Sequence, residues 1–416
     1  MPTKVVVIGG GAREHALVRA LRLGGTDREL VCIPGNPGIA RDARCVQPQG
    51  PGVEGLAAAA LAERPDLVIV GPEAPLADGL ADRMAQARVP CFGPVAAAAR
   101  IEASKAFAKE IMLAASVPTA AAALFEDAAP ARDYARAQGA CVVKLDGLAA
   151  GKGVIVADDG AQAARAVDEL WRPGAKLLIE ERLEGPEISL IALCDGASVL
   201  PLPPARDHKR LLDGDQGPNT GGMGAVCPPR DGTPALVAET VRAVLLPTVR
   251  ELARRGTPFV GALYAGLMLT PRGPRVLEFN CRLGDPEAQA ILIKLRSDPL
   301  PLFLAAAQGR LGGEQPVWDP RTAVAVVLAA HGYPGTPRPH DSIDGLDDIA
   351  EGEDLWVLHA GTRLHQGKIA TAGGRILTVA ALGANAAQAR ERAYGAAARI
   401  RFAGKQLRSD IAAAEG

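Results

Sequence analysis

No apolar run in this chain reaches the roughly 18 residues that a membrane span needs, so a spanning segment is excluded. No charge of one sign is in excess. The formal net charge is −1, from 46 Lys and Arg against 47 Asp and Glu, which leaves no electrostatic case for nucleic acid or an anionic membrane. No Cys-x-x-Cys pair occurs. The seven cysteines are odd in number and scattered, which fits free thiols in a reducing cytosol. No signal peptide opens the chain, because the short run at 5–8 is followed at once by Arg13 and Glu14. A cytoplasmic protein is expected. Aromatics make only 3%, and lysine is rare: the 46 basic residues comprise 36 Arg and 10 Lys. Genome composition imposes biases of this kind. A lysine kept in so Arg-rich a chain is a weak sign that an ammonium is wanted there, and Lys105, Lys144, Lys152 and Lys209 all fall in the motifs below.

What is present is a long globular chain. Its 416 residues exceed one ordinary core, and 48% hydrophobic with 22% charged residues is a globular balance. Roughly two to four domains are expected. Residues 1–103 alternate short apolar strands (5–8, 30–33, 67–70) with helices (14–23, 56–64, 76–87), the pattern of a parallel sheet covered on both faces. Its strands end in Gly9-Gly10-Gly11, in Pro34-Gly35-Asn36-Pro37-Gly38 and in Gly71-Pro72-Glu73. Ligands bind such sheets beyond the carboxyl ends of the strands, so the three loops share a rim. From 104 the pattern changes. Strands are expected at 142–144, 154–156 and 176–181, with a helix at 162–170 between the last two. A pair at 188–194 and 198–201 turns at Asp195-Gly196. A long polar loop covers 206–224, a helix lies near 234–254, and a hairpin has arms 262–269 and 275–280. A third unit starts near 319 with a strand at 323–330 and closes with a helix at 385–399.

The strand before Glu278 gives the most chemistry. Glu278, Asn280 and Arg282 sit at i, i+2 and i+4, which puts a carboxylate, an amide oxygen and a guanidinium on one strand face. Phe279 and Cys281 go to the other face. Hard oxygen ligands beside an Arg suit a Mg2+-bound polyphosphate and a second anion. The same pattern also fits a solvated strand face. Gly9-Gly10-Gly11 opens a helix, where backbone N–H groups bind phosphate. A dinucleotide site fails on two counts: Glu14 stands in place of the third fingerprint glycine, and the second strand ends at Ile33-Pro34-Gly35 rather than at an acid. A one-phosphate site and a plain tight turn both remain open. Lys144 to Val154 is stronger. Gly147, Gly151 and Gly153 let backbone approach phosphate oxygens, and Lys144 and Lys152 balance their charge. It is not a Walker A loop, since Gly153 follows Lys152 and no helix follows. Glu180, Glu181, Leu183 and Glu187 mark a strand end able to offer backbone and carboxylates to a nucleoside. Asp207-His208-Lys209-Arg210, then 214–224, is a loop long enough to be functional.

Taken together, the segments at 11–16, 71–76, 104–107, 146–154, 207–210, 217–225, 264–268, 278–287, 359–362 and 408–411 resemble the glycinamide ribonucleotide synthetases of the ATP-grasp superfamily, across nearly the whole chain. The resemblance implies an α/β and α+β multidomain fold: a Rossmann-like domain at 1–103, a two-part ATP-grasp module at 104–318 with a lid at about 122–188, and a small mixed C-terminal domain at 319–416. It implies ligation of glycine to 5-phosphoribosylamine, with ATP giving ADP and phosphate through glycyl phosphate. Glu278 and Asn280 would hold Mg2+ or Mn2+. Lys105, Lys144, Gly147, Gly151, Lys152, Gly153 and Val154 would meet the phosphates, and Glu180, Glu181, Leu183 and Glu187 the adenosine. Arg282, Asp207 and Lys209 would serve glycine and the acyl phosphate. Gly9, Gly10, Gly11, Glu14, Glu73, Asn219, Gly284, Asp285 and Pro286 would hold the sugar phosphate. A monomer is expected, and a dimer is compatible. Other readings are an ATP-grasp ligase with another acceptor, or a silent nucleotide-binding homologue. Two departures stand out: Leu145 replaces a common Ala, and the loop at 171–174 is short. No fused domain is expected beyond Gly416.

Overall fold

The computed structural model describes residues 2–148 and 153–415. The first unit is a five-stranded parallel sheet of β1 (Thr3–Gly9), β2 (Arg28–Pro34), β3 (Arg44–Cys45), β4 (Leu67–Val70) and β5 (Cys91–Phe92), in the order β3-β2-β1-β4-β5. Its continuous apolar strands are split by their period of two. Val5, Val7, Cys32, Leu67 and Ile69 enter one core, and Val6, Ile8, Val31, Ile33, Val68 and Val70 enter the other. The strand order reverses at β1, so the three loops expected to share a rim do so. Gly35 N–H donates to the Gly9 carbonyl at 3.1 Å and Gly71 N–H to that of Ile8 at 3.0 Å. The helix expected at 76–87 is two, Glu73–Ala77 and Leu80–Gln86. Gly79 breaks it with φ +84°, a left-handed turn open to glycine.

The second unit is an antiparallel sheet of β6 (Ala122–Phe125), β7 (Cys141–Leu145), β8 (Val154–Ala157) and β9 (Leu177–Glu181), ordered β6-β9-β7-β8. One face packs Cys141, Val143, Leu177 and Ile179 on the helices Ala128–Gln138 and Gly160–Leu170. By register the other face carries Leu124, Leu178, Lys144 and Val154 in one row and Ala122, Glu180, Val142 and Val156 in the next. This face turns to the rest of the molecule.

The body sheet is β10 (Glu187–Asp195), β11 (Val199–Pro201) and two later strands. The chain first makes β12 (Arg206–Asp207), the hairpin β13 (Arg210–Leu212) and β14 (Gln216–Asn219), and β15 (Gly224–Cys227). It then returns as β16 (Val260–Thr270) and β17 (Gly273–Asn280), giving the order β11-β10-β16-β17. The last unit adds β18 (Thr322–Ala329), β19 (Leu355–His359), the hairpin β20 (Thr362–His365) and β21 (Lys368–Thr371), and β22 (Arg375–Gly383). Its sheet runs β12-β15-β18-β22-β19. The stretch 206–224, expected as one long loop, is therefore about half strand, and its ends belong to the C-terminal sheet. The partner of β15, β18, lies far along the chain, which no local pattern reveals. No helix among the described residues is long and apolar enough to cross a membrane.

The C-terminal unit docks on the rim of the first. Asn36 Nδ2 donates to the carbonyls of Gly10 (2.9 Å) and His359 (2.8 Å). His359 N–H donates to His15 Nδ1 at 2.8 Å, and both rings are 1% exposed. Burial, with His15, Arg41 and Arg19 nearby, pushes the His359 imidazole down to about 3 from its ordinary 6.5, and burial also lowers His15. Between those two values the unfolded chain binds a proton that the folded chain refuses, so stability is full above pH 6.5 and falls as pH drops toward 3. Near pH 5 this group alone should give about 1.4 kcal/mol per pH unit. Urea unfolding at pH 7, 6 and 5 should show that dependence, and His359→Asn should flatten it by about one proton. An unchanged slope in the variant would sink this assignment.

Candidate active site

The β16–β17 pairing builds the centre of the site. Gly266 faces Glu278, Ala265 faces Phe279 and Tyr264 faces Asn280, but Leu267 already faces Val276, so Leu277 is a bulge. After the bulge the alternation is regular. Glu278 and Asn280 share the cleft face while Phe279 and Cys281 enter the core at 3% and 2% exposure, as expected from sequence. The strand stops at Asn280, so Arg282 belongs to the turn beyond it. Gly266 leaves open the space over Glu278, since a Cβ there would stand 3.3 Å from Glu278 Cγ. Burial pushes the Glu278 carboxyl up, but Lys209, Lys144, Arg282 and Lys105 together hold it below its ordinary value. Asn280 makes no side-chain hydrogen bond among the described residues. An ionised carboxylate and a spare amide oxygen side by side fit a hard divalent cation.

Lysines close the site from two directions. Lys105 opens the Lys105–Ala114 helix and donates to the Gly147 carbonyl at 2.8 Å. Burial lowers its ammonium from the usual value, partly offset by Glu278. Lys144 lies 2.6 Å from Glu180 Oε2 and donates to the Leu277 carbonyl at 2.9 Å. Gly153 accepts from Leu145 N–H at 2.7 Å and Val154 pairs with Lys144, so both shape the loop base. Gly151 and Lys152 lie outside the described residues. In the adenosine group the Glu180 carboxylate is buried between Lys109 and Lys144. Glu181 pairs with Arg272 at 3.2 Å on the outside, and Glu187 pairs with Lys209 at 2.7 Å. These pairs engage the carboxylates and leave the backbone of the strand end and the half-buried Leu183 to line a pocket. On the same face as Lys144 and Val154, Leu124, Leu178 and Val156 form an apolar surface that sequence reasoning did not name; strand alternation held the signal.

Lys209 stands 3.9 Å from Glu278 as well as against Glu187, and these acids with Asp207 raise its ammonium despite burial. Asp207 is pushed up to about 7, by burial first and then by Glu287, Glu187 and Glu278 against the pull of Lys209. Beneath them Tyr264 Oη and Ser189 Oγ are 2.8 Å apart, and Ser189 donates to Glu287 Oε1 at 3.1 Å.

Arg282 is tied to two carboxylates, Glu102 at 3.1 Å and Glu73 at 3.4 Å. Burial would raise the Glu73 carboxyl, yet Arg282 and Arg13 leave it below its ordinary value. The turn Gly284-Asp285-Pro286 comes close to the rim: a Cβ on Gly11 would lie 3.9 Å from Asp285 Oδ2. Arg375 of β22 holds the turn through Asp285 Oδ2 (2.8 Å) and its carbonyl (2.7 Å), and also reaches the Gly221 carbonyl. Arg375, Glu102 and Lys109 were not foreseen. Asn219 ends β14 opposite Arg210 and is half-buried. Glu14 is corrected. It is 2% exposed, with Oε2 taking the Gly11 N–H at 2.6 Å and Oε1 taking Arg13 Nε at 2.5 Å. Its carboxylate therefore caps the helix and uses one of the N–H groups assigned to phosphate. Gly9 and Gly10 remain on the rim.

Three family models cover the chain: the N domain of phosphoribosylglycinamide synthetase matches 3–102, its ATP-grasp (A) domain 103–288 and its C domain 323–414. The chain belongs to this family. A phosphoribosylamine–glycine ligase of Streptomyces coelicolor is 52% identical over 416 residues, covering 99% of each chain. One of Caulobacter vibrioides is 46% identical, covering 98% of this chain and 97% of that protein. The crystal structure of the Thermotoga maritima phosphoribosylamine–glycine ligase superposes with a TM-score of 0.83 at 32% identity, covering 98% of this chain and 100% of that one. A biotin carboxylase of Campylobacter jejuni shares the fold at a TM-score of 0.73 and 14% identity, over 98% of this chain and 93% of that one. The N, ATP-grasp and C domains of the family are thus all present.

Since Glu14 caps the first helix, Glu14→Ala should lower the unfolding free energy by about 2 kcal/mol, through the lost charge-assisted bond and an unpaired buried Arg13. Denaturant unfolding measures it, and a change under about 0.5 kcal/mol would count against the capping role.

Proposed function

We propose that the chain joins glycine to 5-phosphoribosylamine at the expense of ATP, giving N1-(5-phosphoribosyl)glycinamide, ADP and phosphate in purine biosynthesis. The observation that carries this reading is the convergence of Lys105, Lys144, Lys209 and Arg282 on Glu278, in a chain matched over all three units by the family models.

The chemistry needs little covalent help from the protein. A carboxylate oxygen of glycine attacks the γ-phosphorus, an O–P bond forms, and the bond to ADP breaks. The amine of phosphoribosylamine then attacks the carbonyl carbon of glycyl phosphate. A C–N bond forms, the C–O bond to phosphate breaks, and the amine gives up a proton. Both steps move negative charge, so fixed cations and fixed geometry supply the rate. Lys105 and Lys144 contact the phosphates from body and lid, and Lys105 reaches the Gly147 carbonyl at the start of the glycine-rich segment. Leu124, Leu178, Val154 and Val156 offer an apolar roof to the adenine, with Leu183 at its end. Glu278 and Asn280 would hold Mg2+, which when bound neutralises the β- and γ-phosphates; two oxygen donors do not select it over Mn2+. Asp207, Lys209 and Arg282 orient glycine and the acyl phosphate. Gly9, Gly10, Gly11, Glu73, Gly284, Asp285, Pro286 and Asn219 would hold the sugar phosphate, a reading supported by the approach of Asp285 to Gly11 on the rim.

The deciding experiment follows ADP release with glycine, with and without phosphoribosylamine. Full turnover only with both substrates supports the ligase. Turnover with another amine favours a different acceptor, and nucleotide binding without turnover favours a silent homologue. Glu278→Ala should lower kcat by about a thousandfold or more while the fold persists; near-normal kcat removes Glu278 from the metal site. Arg282→Lys should cost at least about tenfold in kcat/KM, because a point charge cannot span Glu73 and Glu102 as the planar fork does. Unchanged glycine KM and kcat in that variant would clear Arg282 of any substrate role.

A further inference from the structure

Lys109 lies one turn beyond Lys105 on the Lys105–Ala114 helix and is 6% exposed. Its ammonium donates to Thr119 Oγ1 at 2.8 Å and to the Ala120 carbonyl at 3.0 Å, and it pairs with Glu180 Oε1 at 2.9 Å, so its surroundings engage it on three sides. Thr119 donates onward to the Val276 carbonyl at 2.8 Å, the residue before the Leu277 bulge. Lys144 uses two donors, on Glu180 Oε2 and the Leu277 carbonyl, and its third has no partner among the described residues. Glu180, 4% exposed, thus gives one oxygen to each ammonium. Two positive charges share one negative charge where water screens little, so the group keeps a net positive charge beside the cleft.

We propose that Lys109 is a positioning residue for nucleotide binding: by holding one oxygen of Glu180 it keeps that carboxylate from neutralising Lys144, whose charge then remains for a phosphate. The inference rests on the assignment of Lys144 to the ATP phosphates. With Lys109 gone, both oxygens of Glu180 have one cationic partner left among the described residues. Lys144 is then matched charge for charge, and an incoming phosphate meets a neutral pair. Lys109 itself is engaged on three sides and acts only through Glu180.

The test measures binding of a non-hydrolysable ATP analogue with Mg2+ to the full chain by calorimetry, so ligase turnover is not required. Lys109→Met should weaken binding about tenfold. The double variant Lys109→Met/Glu180→Gln should bind within about threefold of Glu180→Gln alone, because no carboxylate then competes for Lys144. A packing role for Lys109 would not be relieved by removing the charge on Glu180. Unaltered binding by Lys109→Met, or a double variant as weak as Lys109→Met, overturns the proposal. If Lys109→Met does not fold, Glu180→Gln against the double variant decides: a match supports it and a tenfold loss overturns it. Failure of the parent chain to bind the analogue instead overturns the assignment of ATP, a result distinct from normal binding by the variants.

Discussion

The site hangs on one strand pairing. β16 and β17 are joined by a tight turn, so their register could run unbroken to the end, but the Leu277 bulge resets it one residue before Glu278. A one-residue slip on a strand exchanges its faces. Without the bulge, Phe279 and Cys281 would face the cleft and Glu278 would be driven into apolar packing. The same bulge presents the carbonyl of Leu277 to Lys144 and thereby fixes the lid sheet against the body. The cleft face of Glu278 and Asn280 and the contact of Lys144 with the Leu277 carbonyl both follow from that single irregularity.

Around this strand the units are joined by charge and by shared core. Phe303, on a helix that follows β17, meets Phe92 of β5 edge-on at 4.8 Å. Arg282 reaches Glu73 of the first unit, Arg375 reaches Asp285 from the last, and Asn36 bridges the first and last units directly. Each contact crosses between units close to the cleft. The geometry of the substrate space is therefore set by unit–unit docking as much as by any one fold.

Local pattern was enough for the parallel sheet, the β10–β11 turn, the β16–β17 hairpin and the shared face of Glu278 and Asn280. In each, alternation or a turn residue acts within a few positions. It was not enough where a partner lies far away. β6 and the Ala128–Gln138 helix are alanine-rich and half-exposed, so their apolar signal is faint. The 206–224 stretch leads into β15, which pairs with β18, and its composition looks like a loop because its own strands are short. Carboxylates posed the hardest problem. Glu14, Glu180 and Glu187 each meet a cation within 3 Å, a pairing that no local sequence pattern reveals.

The excursion of the chain through β12 to β15 has a consequence for how the molecule is made. β15 can pair with β12 as soon as it is made, but β18, its partner on the other edge, follows about a hundred residues later, so the C-terminal sheet cannot grow past β15 during synthesis of the middle unit. Meanwhile β16 and β17 must complete the body sheet around a segment with one edge still unpaired. That open edge of the apolar strand Gly224–Cys227 is a template for mispairing through that interval. Assembly order, and not only final stability, is thus written into the place where the chain crosses from one sheet to the next.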